Sequence, residues 1–202
     1  MLIAVADTET TGFPRSDYTS PENCHLASLT LLLFDTEKMR VQASFNTMIQ
    51  PDDWEMPPEA GAINGLDTET LEQYGIPLAT ALATTAFLLE PAELFVAHNA
   101  PFDVKVMAAS FYRADMPLAV EEILAMETYC TQRESKEIVQ AKNKNDKIKM
   151  PKLIEAYKFF FDKELDNAHS ANADTVACLE VYLAIQAHIA EQVDDSDKEV
   201  SL

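Results

Sequence analysis

Two short apolar runs, each ending in a polar turn, constrain the fold of this chain more than any other feature. Leu2-Ile3-Ala4-Val5-Ala6 stops at Asp7, and the turn signal Thr11-Gly12-Phe13-Pro14 follows. An apolar run bounded in this way reads as a buried strand. Asp7 and Glu9 stand two residues apart at its end, and strand side chains repeat every two residues, so both carboxylates leave the same face. Such neighbours repel each other unless a cation sits between them, although a lone pair also suits a strand end with solvated acids. Leu94-Phe95-Val96-Ala97 repeats the grammar, with His98-Asn99-Ala100-Pro101 as the turn and a helical stretch from Phe102 to Arg113. Pro101 suits the first helical turn, where a missing N–H costs little. Asp103 then lies in that turn, either projecting back toward the strand ends or acting as an ordinary helix-dipole acid.

The strongest helical pattern comes last. From Ser170 to Ala190, residues Ala173, Val176, Ala177, Leu179, Tyr182, Leu183 and Ile185 recur largely at three- and four-residue spacing. His169 precedes this helix and Asp174 lies in its second turn, so both can reach one cavity. Four carboxylates and a histidine in three separated clusters can hold hard divalent cations and supply a base. Mg²⁺ and Mn²⁺ prefer oxygen ligands, and few protein ligands leave room for phosphate and water. A histidine beside such acids suits a general base, its unperturbed pKa of about 6.5 lying near working pH. His98 and Asn99 are assigned to orienting backbone or substrate, because the site is otherwise oxygen-rich.

In this order the clusters DTETTG, HNAPFD and His169-Ser170-Ala171-Asn172-Ala173-Asp174 resemble the three exonuclease motifs of the DEDDh family of 3′→5′ exonucleases. That family includes the proofreading subunit of the bacterial replicative polymerase. The similarity spans residue 2 to about residue 190, and Ile63-Asn64-Gly65-Leu66, Cys130-Thr131 and Met150-Pro151-Lys152-Leu153 are similar to a free-standing bacterial and phage-like branch. Ser28 and Ser110 stand where relatives often carry Glu or Gln, and Glu, respectively. The resemblance implies a ribonuclease H-like α/β fold with a mixed five-stranded sheet. It also implies two divalent cations, Mg²⁺ or Mn²⁺, on Asp7, Glu9, Asp103 and Asp174, with His169 as the base that deprotonates water. Thr10, Thr11 and Asn64 match positions that contact the terminal nucleotide, and Phe13 and Ile63 are candidates to wedge against the last bases or to be ordinary core. Asn99 and Phe102 complete the expected substrate contacts. The expected substrate is the 3′ end of a single-stranded nucleic acid, DNA favoured, and the expected product a nucleoside 5′-monophosphate. Two alternatives stay open: a proofreading subunit docked on a separate polymerase or another replication or repair partner, and a degenerate module that binds nucleic acid or protein without turnover.

The formal net charge of −19 opposes casual phosphate binding, which depends on Lys and Arg. Its distribution softens the objection. Residues 1–132 hold five Lys+Arg, whereas 133–152 hold seven. Lys142, Lys144, Lys147 and Lys149 are the candidates for a positive rim, against the alternative of a solvated loop. Length suits a single core, expected over residues 1–190, with 191–202 as an acidic, disordered tail. The absence of a spanning run of about 20 apolar residues, of a basic region before Asp7 and of any CxxC among Cys24, Cys130 and Cys178 gives the expectation of a cytoplasmic protein with reduced thiols and no membrane. The coarse order runs through strands at 2–7, 25–35, 40–49, 94–97 and 127–131. Helices are expected at 57–63, 68–74, 78–90, 101–113, up to 140, 151–161 and 170–190, an order that indicates a mixed α/β sheet.

Overall fold

In a computed structural model, the described residues are 1–165 and 171–199, side chains being described for 1–165 and 172–192. Five strands form one sheet in the order β3-β2-β1-β4-β5: β1 (Leu2–Thr10), β2 (Leu26–Asp35), β3 (Arg40–Met48), β4 (Leu94–Ala97) and β5 (Thr128–Cys130). β1 to β3 are antiparallel neighbours, while β4 runs parallel to β1 and β5 parallel to β4. The sheet is therefore mixed, as the resemblance implied. β2 is buried at every position, whereas β3 at the edge exposes Val41 and carries Arg40.

Helices cover both faces. Ala4 and Ala6 of β1 pack with Leu29, Leu31 and Phe95, and against Val106, Met107 and Phe111 of α4 (Ala100–Arg113). Leu82 of α3 (Leu78–Leu89) and Ile123 of α5 (Pro117–Ala125) complete this layer. Ile3 and Val5 point the other way, joining Leu32, Phe34 and Val96 against Cys178, Leu179 and Tyr182 of α9 (Ala171–Glu199). The two-residue alternation thus sorts β1 into an α4 face and an α9 face. Short helices α1 (Pro58–Asn64), α2 (Thr68–Tyr74), α6 (Thr131–Glu134), α7 (Lys136–Val139) and α8 (Leu153–Phe161) fill the connections.

Three expectations need correction. β1 does not stop at Asp7: it pairs with β2 through Asp7↔Thr30, Thr8↔Leu29 and Glu9↔Ser28, then slips a residue at Thr10↔Leu26. The acids sit within a paired strand because β2 is long enough to hold its neighbour beyond the apolar run. Residues 117–125 form a helix, α5, absent from the sequence reading, although Pro117 at its first turn is a recognised start signal. Finally, α9 runs to Glu199 rather than ending before Val193, since residues 191–199 contain neither glycine nor proline to stop it. Among the described residues, no helix is long and apolar enough to cross a membrane. All three cysteines are free and buried.

Candidate active site

The alternation that sorts β1 also aims its polar end. Asp7 and Glu9 continue the Ile3/Val5 face toward α9, which presents Asp174 from its first turn. Oxygens of Asp7, Glu9 and Asp174 lie within 4.8 Å of one another. Thr8 and Thr10 continue the Ala4/Ala6 face toward α4. There the Thr8 N–H and hydroxyl both donate to Asp103 Oδ1, at 3.1 and 2.8 Å. Asp103 is only 3% exposed, so it faces inward rather than serving as a solvated helix-dipole acid. The four carboxylates come from residues 7–9, 103 and 174, and the sheet order brings them together at one end of β1. His169 and Ser170 lie outside the described residues.

Burial and mutual repulsion dominate the electrostatics. Asp7 is pushed well above the usual carboxylate range, first by burial and then by the charges of Asp103, Glu9 and Asp174. Glu9 is raised to about 7 by burial and Asp174. Asp103 is raised to about 7 by burial, against the opposing hydrogen bonds from Thr8. A set of crowded, oxygen-only donors fits a hard divalent cation, which would exchange repulsion for attraction.

A cavity of about 240 Å³ opens over Asp7, Glu9 and Asp103, walled by Thr10, Gly12, Phe13, Ala60, Ile63, Asn64, His98 and Phe102 among others. Phe13 is 88% and Ile63 67% exposed, which removes the ordinary-core reading for both. The Phe13 ring stands edge-on to Phe102, with centroids 6.3 Å apart. Asn64 is tied down: its Nδ2 donates to the Thr10 carbonyl at 3.3 Å and its Oδ1 accepts from Leu66 N at 3.0 Å. Gly65 follows with a φ of 72°, a left-handed turn that favours glycine.

Other expected contacts sit elsewhere. Thr11 exchanges hydrogen bonds with the His25 backbone at 3.0 and 2.8 Å and lines a neighbouring cavity instead. Asn99 takes a left-handed conformation at the start of α4 (φ 79°) with an exposed side chain, a geometry that asparagine tolerates. Ser28 is buried opposite Glu9 and donates to the Thr47 carbonyl, while Ser110 donates to Val106 inside α4. Lys142 pairs with Asp146 at 2.8 Å and Lys149 with Glu155. Lys144 and Lys147 are exposed, and no ion pair involves either among the described residues.

One support, Thr8, has no counterpart in the sequence reading. His98, read there as orienting backbone or substrate, makes two bonds of 3.0 Å, to Thr131 Oγ1 and to the Pro151 backbone carbonyl. A carbonyl only accepts, so Nε2 carries the proton and Nδ1 accepts from Thr131. Only the alternation of β1 could have flagged Thr8, by placing it opposite the acids.

Comparison with solved structures gives the same architecture. The chain is similar to E. coli exonuclease I in complex with a dT13 oligonucleotide (22% identity, TM-score 0.73, covering 92% of this chain and 40% of that one). It is also similar to a 5cy-dT13 complex of the same enzyme (19%, TM-score 0.75, 96% and 42%). A zinc-bound E. coli exonuclease I–ssDNA complex matches as well (22%, TM-score 0.70, 91% and 40%). The chain thus spans about two fifths of the length of these proteins. No curated protein matches it by sequence. The exonuclease model (RNase T) matches residues 4–182, a span that contains all four acids, and the chain belongs to that exonuclease family.

Proposed function

We propose that residues 1–190 act as one catalytic domain, a metal-dependent 3′→5′ exonuclease that shortens single-stranded nucleic acid, DNA by preference, to nucleoside 5′-monophosphates. The convergence of Asp7, Glu9 and Asp174 within 4.8 Å, where Asp7 and Glu9 line a cavity with apolar jaws, carries the reading. Asp7, Glu9 and Asp174 would hold one cation, and Asp7 with Asp103, through water, a second. When bound, such a pair activates water and stabilises the leaving oxygen. His169 is assigned the proton of the attacking water on its motif position. Phe13 and Ile63 bracket the terminal base, whose flat face suits sequence-tolerant apolar contact. The oligonucleotide complexes of E. coli exonuclease I support a single-stranded substrate. They lend no weight to docking on a polymerase. The intact acids argue against a degenerate binding module.

The test uses matched DNA and RNA oligomers carrying a label at the 3′ or the 5′ end. Early release of a labelled mononucleotide from 3′-labelled DNA, dependent on Mg²⁺ or Mn²⁺ and stopped by EDTA, is expected. Early release from the 5′ end would overturn the polarity, and faster loss of RNA would overturn the preference. His169→Ala should bind metal and lose roughly 10²–10⁴ in rate, the usual worth of a general base. Loss of metal binding instead would make His169 a ligand or support.

A further inference from the structure

The bond between Thr8 and Asp103 follows from the unequal lengths of two strands. β1 runs to Thr10, but β4 ends at Ala97 and pairs with β1 only across Ile3–Val5. Leu2 accepts from Glu93 N and donates to Glu93 Oε1, so the even-numbered residues of β1 turn their backbone groups toward β4. Thr8 lies on that edge, beyond the point where the chain leaves the sheet at Asn99 and winds into α4. Its N–H would be orphaned at a buried position, and unsatisfied buried donors are costly. Asp103, one turn into α4, fills the place of the missing strand.

The Thr8 side chain turns this repair into a clamp. Oδ1 of Asp103 receives both the N–H and the hydroxyl of Thr8, whereas Oδ2 takes no hydrogen bond from another residue among the described ones. We infer that Thr8 is a positioning residue of the site: it engages Oδ1 of Asp103 and fixes the carboxylate plane, leaving Oδ2 as the oxygen offered to the cation or its water. This deepens the functional reading above and rests on it for the role of Asp103. A carboxylate held by one oxygen cannot swing away when the site is empty, so the donor set is organised before the cation arrives. Partners of this kind typically change metal affinity or activity by about 10–100-fold.

The experiment compares wild type, Thr8→Val and Thr8→Ser. Valine keeps the shape and strand preference but removes the hydroxyl, and serine keeps the hydroxyl but removes the methyl. Mn²⁺ binding to the protein alone, read by electron paramagnetic resonance, should weaken in Thr8→Val. Its kcat on a short single-stranded oligonucleotide should fall about 10–100-fold with KM little changed, and Thr8→Ser should recover most of both losses. In the double variant with Asp103→Asn, the Thr8→Val effect should largely vanish, as coupled residues require. Wild-type Mn²⁺ affinity and kcat in Thr8→Val would overturn the inference. So would equal impairment of the valine and serine variants, which would assign Thr8 to packing. Should valine not fold, Thr8→Ala gives the same comparison. If wild type binds Mn²⁺ but degrades no nucleic acid, the functional reading fails, and Mn²⁺ affinity across the series still decides the role of Thr8.

Discussion

At the scale of residues, the acids store a conflict that a cation would resolve. Glu9 and Asp103 are raised to about 7 and Asp7 well above its usual range, mainly by burial. In the unfolded chain the same groups ionise near pH 4. Between those values the fold binds more protons than the unfolded chain, so metal-free stability falls as pH rises toward and through about 7. A cation bound to the ionised acids reverses this, because it binds only the fold. Thermal melts from pH 5 to 8 should show a falling melting temperature in EDTA and recovery in Mg²⁺, the recovery growing with pH. A Mg²⁺ effect that is the same at pH 5 and pH 8 would contradict the assignment. The identities of these acids were legible in the sequence because motif spacing carries them. The bond from Thr8 to Asp103 was not, since it depends on where β4 ends relative to β1.

At the scale of elements, the strand and helix types followed from apolar runs and periodicity, but boundaries set by partners did not. β1 outlasts its apolar run because β2 pairs with it, and no local signal in residues 7–10 reports that. α5 was missed although Pro117 marks its start, and α9 continues through an acidic stretch that composition alone read as a tail. His98 joins elements that the sequence keeps far apart, linking the end of β4 to α6 at Thr131 and to the residues before α8 at Pro151. Burial lowers its pKa to about 4, below the ordinary value of about 6.5. The imidazole stays neutral in the fold while the unfolded chain protonates, so its contribution is full above about 6.5 and is lost as pH falls through about 4. His98→Ala should cost about 1–3 kcal/mol at pH 7, as expected when bonded buried groups lose their partner. The gap from wild type should narrow at pH 4, measured by denaturant unfolding at both pH values. A gap that is constant with pH would mean that the ring acts by packing alone.

At the scale of the whole molecule, the proposed function requires a chain of net charge −19 to hold a polyanion. The sequence offers four lysines as candidates for a positive rim or a solvated loop; Asp146 and Glu155 pair with Lys142 and Lys149. Lys144 and Lys147 are left to face solvent from the hairpin closed by the Lys142↔Ile148 bridge. Changing both to Ala should raise KM on a long single strand and leave kcat on a dinucleotide unaltered. The salt dependence should flatten by about 0.7 in slope for each phosphate that a lysine no longer neutralises. An unchanged KM and salt slope would make the hairpin a bystander. The proposed function depends on more than any one segment, because it needs acids from residue 7, residue 103 and residue 174 to act as one metal-binding set. The decisive experiment measures oligonucleotide turnover at saturating Mg²⁺ for Asp7→Asn, Asp103→Asn and Asp174→Asn, with melting curves as the control for folding. Each variant should melt as a folded protein and lose turnover, because each removes a charged ligand or its support from a shared site. Full activity in any one of the three would contradict the proposed function.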